Sequence, residues 1–361
     1  MKIMIITLNT YGGMIHYTSQ LANALSKREE VTVIAPVGVE RKNFAENVKI
    51  IELQLGTVIK KFFINTLLLT RPLKFLDTIY KEKPDMIHIQ GCHLWLALFL
   101  PFLTEFSIVT TIHDVNPHIG SRKFDQIIGR NIHIRFSDCL IVHGDRAKKE
   151  LKINKKCYVI PHGDYFFFLD YECDHIPEEN AVLFFGRIEE YKGIEYLIQS
   201  MHSIFKDFSD TKLIIAGEGN LSRYITMPLT NKHYEIHNRF IPDEEVPSFF
   251  QRSKVVVLPY IEGTQSGIIP IAYAFKKPVV VTNVGSIPEV VDDGKTGFIV
   301  PPQDVNALAD AITRLLKENK LRREMGENAY KKMKEELSWD TIAEETIEVY
   351  KEAIEVNHAN K

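Results

Sequence analysis

The sequence predicts an α/β protein with two domains, each a doubly wound parallel sheet flanked by helices. Short β-branched or apolar runs alternate with amphipathic helical stretches through almost all of the 361 residues. At roughly 150 residues per domain, this length corresponds to about two domains. Because 45% of the residues are hydrophobic and 25% are charged, the composition excludes disordered, collagen-like and fibrous proteins.

The predicted strands form two groups along the chain. Those of the first half are Lys2–Leu8, Val31–Ala35, Met86–Ile89, Ile108–Ile112, Cys139–Val142 and Tyr158–Ile160. Those of the second half are Val182–Phe185, Lys212–Ala216, Val255–Leu258, Val279–Thr282 and Phe298–Val300. Helices are predicted after Gly13, over Ile194–Phe205, and in three stretches that begin near Asp304, Leu321 and Asp340.

The domain boundaries follow from a segment without periodicity. Residues 162–180 mix turn residues with aromatic residues and show neither the strand nor the helix pattern. We therefore expect a first domain over 1–165, a linker over 166–180, a second domain over 181–338 and a final helix over 339–361.

The charge is balanced overall, with 44 basic and 47 acidic residues, but it differs between the two halves. Residues 1–165 contain 22 basic and 15 acidic residues, whereas 166–361 contain 22 basic and 32 acidic ones. The basic excess of the first half favours anionic partners. Because these charges are scattered among acids and form no dense block, nucleic acid is not an expected partner.

The stretch Val58–Phe75 suggests contact with a membrane surface. It interleaves large apolar residues with four basic ones, Lys60, Lys61, Arg71 and Lys74. That composition suits an anionic lipid surface, although an ordinary pair of core-facing helices would share it. The longest uncharged apolar run, Leu94–Leu103, is too short to span a bilayer, and the N-terminus is predicted as a strand and not as a signal peptide. We expect a cytoplasmic protein with peripheral membrane contact.

Candidate site residues come just after predicted strands, because open parallel sheets bind ligands at the carboxyl ends of their strands. Gly12 and Gly13 follow the first strand and let a ligand approach the backbone, although a plain tight turn needs the same residues. His113 follows Ile108–Ile112, where an imidazole can donate to a sugar hydroxyl or carry a proton. A structural histidine is the alternative there.

Two cations lie on the connection GRIEEYKG, Gly186–Gly193. Arg187 and Lys192 can converge on one phosphate or diphosphate group. The alternative is a solvated loop in which Glu189 and Glu190 pair with the two cations.

The segment EGTQSGIIP, Glu262–Pro270, is polar where it enters a predicted helix. Glu262 can accept hydrogen bonds from hydroxyl groups. The segment also offers hydroxyl and N–H groups to an anion, from Thr264, Gln265, Ser266 and Gly267. A helix cap alone needs fewer such residues, so the pattern favours a binding site.

Several motifs follow one another along the chain, namely GGMIHY, TIHD, VIPHGD, FFGRIEEYKG, AGEG, LPYIEGTQSG, KPVVVTNVGSIPEVVDDGKTGFIVPPQD and LSWDTIAE. Together they resemble family 4 (group 1) of the retaining glycosyltransferases over nearly the whole chain. The resemblance implies the GT-B architecture, in which two Rossmann-like domains face a cleft. It also implies that the second domain holds the nucleotide sugar, that the first holds most of the acceptor, and that the helix after Trp339 crosses back to the first domain.

The resemblance also implies roles for individual residues. Arg187 and Lys192 would contact the donor diphosphate, Glu262 would face the transferred sugar, and His113 would lie near the reacting centre. The implied catalytic set is His113, Arg187, Lys192 and Glu262, and the implied donor-binding set is Gly12, Gly13, Gly186, Thr264, Gln265, Ser266, Gly267 and Ile268.

One departure from the family pattern concerns the ribose. The family usually holds the nucleotide ribose with a second glutamate after Glu262, and the corresponding position here is Pro270 or Ile271. The means of ribose recognition is therefore open. Because no D-x-D triplet occurs in the chain, we expect no metal and no other cofactor.

The expected activity is retaining transfer of a sugar from a nucleoside-diphosphate sugar to a hydroxyl acceptor, such as a glycan, a glycolipid or a lipid-linked sugar. A nucleotide-sugar 2-epimerase of the same fold is one alternative, although the motifs TIHD and GRIEEYKG argue against it. The missing second glutamate suggests another, a non-catalytic subunit that binds a sugar nucleotide. A nicotinamide-dependent dehydrogenase is less favoured, because no G-x-G-x-x-G opens either sheet.

Overall fold

The computed structural model of the chain describes residues 1–55, 70–119, 123–171, 176–224, 232–359 and 361. The chain divides into two compact units. The first unit comprises Met1–Pro117, Ser121–Gly163 and Ser338–Lys361, and the second comprises His118–Gly120 and Asp164–Leu337.

The first unit is built on a parallel sheet. Within its described residues the strands are β1 Lys2–Ile6, β2 Glu30–Pro36, β3 Lys49–Leu53, β4 Met86–Gln90, β5 Ser107–Thr111, β6 Cys139–Val142 and β7 Cys157–Val159. Their order across the sheet is β3-β2-β1-β4-β5-β6-β7. The helices between them are α1 Gly13–Leu25, α2 Thr70–Glu82, α3 Leu94–Ala97, α4 Lys123–Phe136 and α5 Asp145–Leu151.

The second unit repeats this plan with a parallel sheet of its own. Within its described residues the strands are β8 Ala181–Phe185, β9 Lys212–Ala216, β10 Tyr234–His237, β11 Val255–Leu258, β12 Val279–Thr282 and β13 Gly297–Val300. Their order is β10-β9-β8-β11-β12-β13. The helices are α6 Ile194–Asp207, α7 Val246–Arg252, α8 Ile268–Ala274, α9 Ile287–Val290, α10 Val305–Lys317 and α11 Asn319–Glu336.

Short 3₁₀ turns complete the described structure, at Arg41–Asn43, Leu100–Phe102, Phe166–Asp170, Glu190–Lys192, Leu221–Arg223 and Asp243–Glu245.

Central strands such as β4 and β11 are buried along their whole length, because helices cover both faces of a doubly wound parallel sheet. Strand β11 is a continuous apolar run and β4 is apolar except for His88 and Gln90, which is why the sequence predicts both strands.

The last helix, α12, spans Trp339–Ala359 and belongs to the first unit. Its Trp339, Ile342 and Tyr350 lie in the same core cluster as residues of α1 and β1. The ring of Trp339 packs so closely on Gly163 that a Cβ at that glycine would lie 2.3 Å from it. A residue with a side chain at position 163 would therefore displace the start of the helix.

Two strands escape prediction, and both lie at the edge of a sheet. They are β3, Lys49–Leu53, and β10, Tyr234–His237. Both are only partly buried, so neither contains the continuous apolar run by which the central strands are recognised. The first strand also ends at Ile6, two residues before the predicted end at Leu8.

The segment predicted as a linker, 166–180, lies within the second unit. Phe166–Asp170 forms a 3₁₀ turn, and Phe168 is buried in the core of that unit beside Tyr165. The chain passes between the units at Gly163–Asp164 and again at Leu337–Ser338. The aromatic residues that disturb the periodicity of this segment are thus core residues.

Each sheet has one place where the order of its strands reverses direction, between β1 and β4 in the first unit and between β8 and β11 in the second. At such a switch point the loops diverge to opposite faces and leave a crevice at the carboxyl ends of the strands.

No helix among the described ranges is long and apolar enough to cross a membrane.

Candidate active site

The switch point of the second unit brings together two of the predicted segments. The connection after β8 carries Lys192, and the connection after β11 carries Ser266. Because β8 and β11 are neighbours, both connections emerge at the same place on the carboxyl edge of the sheet. The structure therefore unites residues that lie more than seventy positions apart in the sequence.

Lys192 is a buried cation, with only 8% of its surface exposed. Its Nζ lies 3.1 Å from the hydroxyl oxygen of Tyr260 and 5.0 Å from the centre of the Tyr260 ring. No carboxylate among the described residues forms an ion pair with it, although Glu189 and Glu190 are near in sequence. A buried ammonium group without a carboxylate is costly unless a ligand supplies the negative charge.

Gly186 makes room for this lysine. Its φ is +110°, a conformation that residues with a Cβ rarely adopt, and a Cβ there would lie 3.1 Å from Lys192 Nζ. Glycine at this position therefore allows both the turn after β8 and the approach of the ammonium group.

Arg187 has a different environment. Its side chain is 70% exposed, and its Nη1 lies 2.9 Å from Glu189 Oε1. Glu190 pairs instead with Arg223. The solvated-loop interpretation thus describes the environment of Arg187 but not that of Lys192.

Ser266 is joined to the lysine through Tyr260. The Tyr260 hydroxyl lies 3.1 Å from Ser266 Oγ, which also accepts a hydrogen bond of 3.3 Å from the N–H of Ile268. Gly267 precedes helix α8 in a helical conformation, so Ile268 begins that helix. These contacts hold Ser266, Gly267 and Ile268 beside the buried cation.

The remaining predicted residues of this loop differ in how they are satisfied. Thr264 is buried, and its carbonyl oxygen accepts a hydrogen bond from the N–H of Ser286. Glu262 accepts a hydrogen bond from the N–H of Ile119, which the division of the chain places in this same unit. The side-chain oxygen of Gln265 is buried and has no hydrogen-bond partner among the residues that the structure describes. An unpaired buried acceptor of this kind is what a hydroxyl or N–H group of a ligand could satisfy.

The position of the missing second glutamate is apolar in the structure as well. Pro270 and Ile271 both lie on α8 with their side chains buried. No carboxylate can be supplied from either position.

In the first unit, Gly12 and Gly13 lie at the start of α1, directly after β1 at the switch point. Gly12 has a φ of +75°, and a Cβ on either glycine would meet no atom within 4 Å. Positive φ explains Gly12, whereas open space beside both residues leaves the backbone accessible.

His113 follows β5 and belongs to a buried network of polar side chains. Its Nε2 lies 3.1 Å from Oε1 of Gln90, and its Nδ1 lies 2.9 Å from Nε2 of His143. The Ile160 carbonyl can only accept, so His143 donates to it from Nδ1. Both ring nitrogens of His113 therefore already have partners within the protein.

The same network continues through His88. Its Nδ1 lies 2.6 Å from the hydroxyl of Tyr350 on α12, and its Nε2 lies 2.7 Å from the hydroxyl of Thr111. His162 completes the group, since the Tyr17 ring contacts the rings of His113, His143 and His162 edge-on.

All four histidines are held neutral. Burial lowers the pKa of His88 to about 3, that of His143 to about 4 and that of His162 to about 3. Burial and the neighbouring histidines hold the pKa of His113 well below its ordinary value of 6.5. His113 is therefore poorly suited to exchange protons near neutral pH.

Family comparisons identify the chain. The family model for Glycosyltransferase Family 4 matches residues 11–163, and the model for Glycosyl transferases group 1 matches residues 173–332. An uncharacterized glycosyltransferase of Methanocaldococcus jannaschii is 34% identical over 316 residues, which cover 78% of this chain and 79% of that protein. The chain belongs to the group 1 glycosyltransferase family.

Solved structures share the fold of this glycosyltransferase over almost its whole length. Sucrose-phosphate synthase from Thermosynechococcus elongatus has a TM-score of 0.79 at 21% identity, over 97% of this chain and 98% of that one. HepE of Anabaena in complex with UDP and glucose has a TM-score of 0.76 at 17% identity, over 97% and 99% of the two chains. The likeness confirms the predicted fold class, GT-B with two Rossmann-like domains.

Two features of this glycosyltransferase are not predicted from its sequence, namely the position of Tyr260 and the network around His113. Tyr260 lies in the motif LPYIEG, and its place directly after a strand and Pro259 is the signal that could have drawn attention to it. The other members of the network around His113, namely His88, Gln90, His143 and Tyr350, have no such signal, because they come from β4, the segment after β6 and α12 and meet only in the folded unit.

Proposed function

We propose that this glycosyltransferase moves a sugar from a nucleoside-diphosphate sugar to a hydroxyl acceptor with retention of configuration. The observation that carries the proposal is the buried Lys192 at the switch point of the second unit, a cation that no described carboxylate neutralises. A donor diphosphate would supply that charge. The complex of Anabaena HepE with UDP and glucose supports a nucleotide-sugar donor, since the two proteins share their fold.

The charge chemistry of the reaction fits the residues around Lys192. As the bond to the anomeric carbon breaks, negative charge grows on the departing diphosphate, so fixed donors stabilise the transition state more than the ground state. We assign this role to Lys192, to the Ser266 hydroxyl and to the N–H of Gly267, while Ile268 would hold Ser266 in place through its own N–H. Arg187 would leave Glu189 to join them when the donor binds.

Hydroxyl recognition would fall to the acceptors of the loop after β11. We assign Glu262 to the transferred sugar, which requires that it exchange the Ile119 N–H for a sugar hydroxyl. Gly186, Thr264 and Gln265 would form the rest of the donor site in this unit. In the first unit, Gly12 and Gly13 would leave the backbone open to a ligand.

For His113 we propose a positioning role near the reacting centre. Because its nitrogens are paired internally and its pKa is low, the proton of the acceptor would pass to an oxygen of the departing phosphate. Replacing His113 with Ala should lower turnover by roughly 10²-fold while leaving diphosphate affinity nearly unchanged. Equal losses in turnover and affinity would assign His113 to packing alone.

We further propose that the reaction needs no metal, because Lys192, Arg187 and Ser266 provide the stabilisation that a metal gives elsewhere. Transfer should therefore proceed at an undiminished rate in excess EDTA. A rate that falls in EDTA and returns with Mg²⁺ or Mn²⁺ would contradict this.

The proposal is tested by ligand binding followed by turnover. Thermal shift with UDP, ADP, GDP and dTDP should show one or more of them stabilising the protein, by about 2.7 kcal/mol at 100 times its dissociation constant. The sugar nucleotide of that base should then be consumed by the wild type, and on the order of 10²-fold more slowly by Lys192→Met. Binding without transfer or hydrolysis would favour a non-catalytic subunit, and free 2-epimer as product would favour an epimerase.

For the acceptor we propose a lipid-linked or membrane-associated hydroxyl compound, reached from the cytoplasmic side. Large apolar side chains are exposed on adjoining elements of the first unit, namely Leu73 on α2, Phe102 after α3 and Phe124 on α4. Phe124 is 79% exposed. Of the predicted membrane-contacting stretch, 58–69 lies outside the described residues.

Vesicle cosedimentation tests this contact. Vesicles with anionic lipid should carry down the wild type, and the double variant Phe102→Ser and Phe124→Ser should stay in the supernatant. Leu169→Ser, an exposed apolar residue of the second unit, is the matched control. Equal recovery of all three proteins in the supernatant would remove the membrane from the proposal.

A further inference from the structure

We propose that Tyr260 is a positioning residue for the donor diphosphate, whose hydroxyl links the Lys192 ammonium group to the Ser266 hydroxyl and fixes the direction of both. This inference rests on the proposed function, because it assumes that Lys192 and Ser266 meet a diphosphate. It concerns a residue that neither the charge pattern nor the family motifs single out.

The fold places Tyr260 beneath the donor loop and holds it there. Tyr260 follows β11 and Pro259, and only 2% of its surface is exposed. Its carbonyl oxygen accepts a hydrogen bond of 2.5 Å from the Thr282 hydroxyl at the end of β12. Backbone and ring are thus fixed by neighbouring strands, so the hydroxyl has little freedom to move.

The direction of the hydrogen bonds follows from the chemistry of the groups. Lys192 can only donate, so the Tyr260 oxygen accepts from its Nζ over 3.1 Å. The hydrogen of the Tyr260 hydroxyl is then available for Ser266 Oγ, 3.1 Å away. Ser266 Oγ accepts this bond as well as the bond from the N–H of Ile268.

The consequence lies at the end of this relay. With both acceptor positions of Ser266 Oγ filled, its own hydrogen is left to donate outward, and an anion is the partner that such a hydrogen prefers. Lys192 also keeps two N–H groups that Tyr260 does not use. The relay therefore presents hydrogen-bond donors from two loops before any sugar nucleotide is bound.

The ring of Tyr260 gives a second reason for the arrangement. The Lys192 ammonium lies 5.0 Å from the centre of that ring, a distance at which the face of an aromatic ring attracts a cation. The ring thus offsets part of the cost of burying the charge without neutralising it. A carboxylate in the same place would compete with the diphosphate.

Removal of one hydroxyl tests the relay. Tyr260→Phe keeps the ring and loses both hydrogen bonds, so binding of a nucleoside diphosphate should weaken by about five- to tenfold. Binding of the corresponding monophosphate, which has no β-phosphate, should change by less than twofold. Calorimetry with UDP, ADP, GDP and dTDP, each against its monophosphate, measures this difference.

Tyr273→Phe is a matched control in the same unit. The Tyr273 side chain is fully buried, and its hydroxyl bonds to Thr296 Oγ1 over 2.8 Å, away from Lys192. It should lower the unfolding temperature at least as much as Tyr260→Phe and leave diphosphate affinity unchanged. Loss of diphosphate affinity in this control would show that any buried hydroxyl has the effect, and would overturn the inference.

A double-mutant cycle keeps the test decisive. If the relay acts as a unit, Ser266→Ala should weaken diphosphate binding by a similar factor, and the double variant should lose clearly less than the product. Additive losses, or an unchanged ratio of diphosphate to monophosphate affinity in Tyr260→Phe, would overturn the inference alone. A wild type that binds none of the four diphosphates would instead overturn the proposed function, and this inference with it.

Discussion

The two units have sheets of the same kind and treat the polar groups at their carboxyl edges in opposite ways. In the first unit, His88, His113 and His143 are buried, neutral and bonded to one another through defined partners. In the second, Lys192 is buried beside the Tyr260 hydroxyl and the rings of Tyr260 and Tyr191, and no described carboxylate pairs with it. The difference separates a polar group that the fold satisfies from one that it leaves for a ligand.

The energetic reason is the cost of burial. A neutral imidazole with both nitrogens bonded costs little to bury, whereas an ammonium group without a counter-ion costs several kcal/mol. A polar group that is hydrogen-bonded within the protein adds stability but is not available to bind a substrate. An unsatisfied group lowers stability, and the substrate recovers that energy when it binds.

The largest expected effect of this difference is on the free energy of unfolding of the first unit at acidic pH. The four histidines have folded pKa values below their ordinary 6.5, so the unfolded chain binds more protons as the pH falls. Their contribution to stability is complete above about pH 6.5 and is lost as the pH falls toward their folded pKa values, which are about 4 for His143 and about 3 for His88 and His162. Each can contribute up to roughly 1.4 kcal/mol per pH unit in that range.

The second unit loses stability at lower pH. Hydrogen bonding to Arg252 lowers the pKa of Glu235 from 4.5 to about 2, so this contribution is lost only as the pH falls below about 4.5. Both tryptophans, Trp95 and Trp339, lie in the first unit. Tryptophan fluorescence should therefore change between pH 6.5 and 4, while the part of the far-UV circular dichroism signal that comes from the second unit is retained. A single unfolding transition below pH 4 would contradict this difference between the units.

The next effect distinguishes a group that serves a ligand from one that serves the fold. Lys192→Met should lower kcat/KM for the donor by on the order of 10²-fold, because it removes a charged hydrogen bond to the diphosphate. The same change should leave the unfolding temperature unchanged or raise it, since it removes a buried charge. Donor kinetics and thermal unfolding of the same preparation measure both, and a marked loss of stability would assign Lys192 a structural role.

The corresponding change in the first unit should act in the opposite sense. His143→Phe keeps a ring of similar size but leaves the Ile160 carbonyl and His113 Nδ1 without partners. Each unpaired group costs about 1–3 kcal/mol, so the free energy of unfolding should fall in denaturant titrations followed by tryptophan fluorescence. Diphosphate affinity should not change, and a variant as stable as the wild type would show that the network contributes little.

The smallest effects concern the exposed cation of the second unit. Arg187→Ala should lower donor kcat/KM by about tenfold, less than Lys192→Met, because Arg187 is exposed and must leave Glu189 to bind the donor. Glu189→Ala frees Arg187 and should change kcat/KM by no more than about twofold, upward. Glu190→Ala is the matched control, since Glu190 pairs with Arg223, and equal losses in all three variants would point to a merely solvated loop.

The amino-acid pattern alone is enough to predict the two parallel sheets, their central strands and the segments that carry the proposed donor site. Central strands are recognised because burial on both faces demands a continuous apolar run, and Gly186, Lys192 and Ser266 are found because ligand groups follow such strands. The edge strands β3 and β10 are missed for the converse reason, since partly exposed strands have no such run. The aromatic segment Tyr165–Phe168 is likewise taken for a linker because no local pattern shows which core it joins.

Which polar groups have hydrogen-bond or charge partners within the protein depends on the tertiary fold. Arg187 and Lys192 are equivalent in the sequence, and the fold exposes one beside Glu189 and buries the other against Tyr260. In the sequence His113 resembles a free imidazole, but in the fold Gln90 of β4 and His143, just after β6, lie within hydrogen-bond distance of its two nitrogens. Charge state and availability depend on burial and on partners distant in sequence, and a local pattern contains neither.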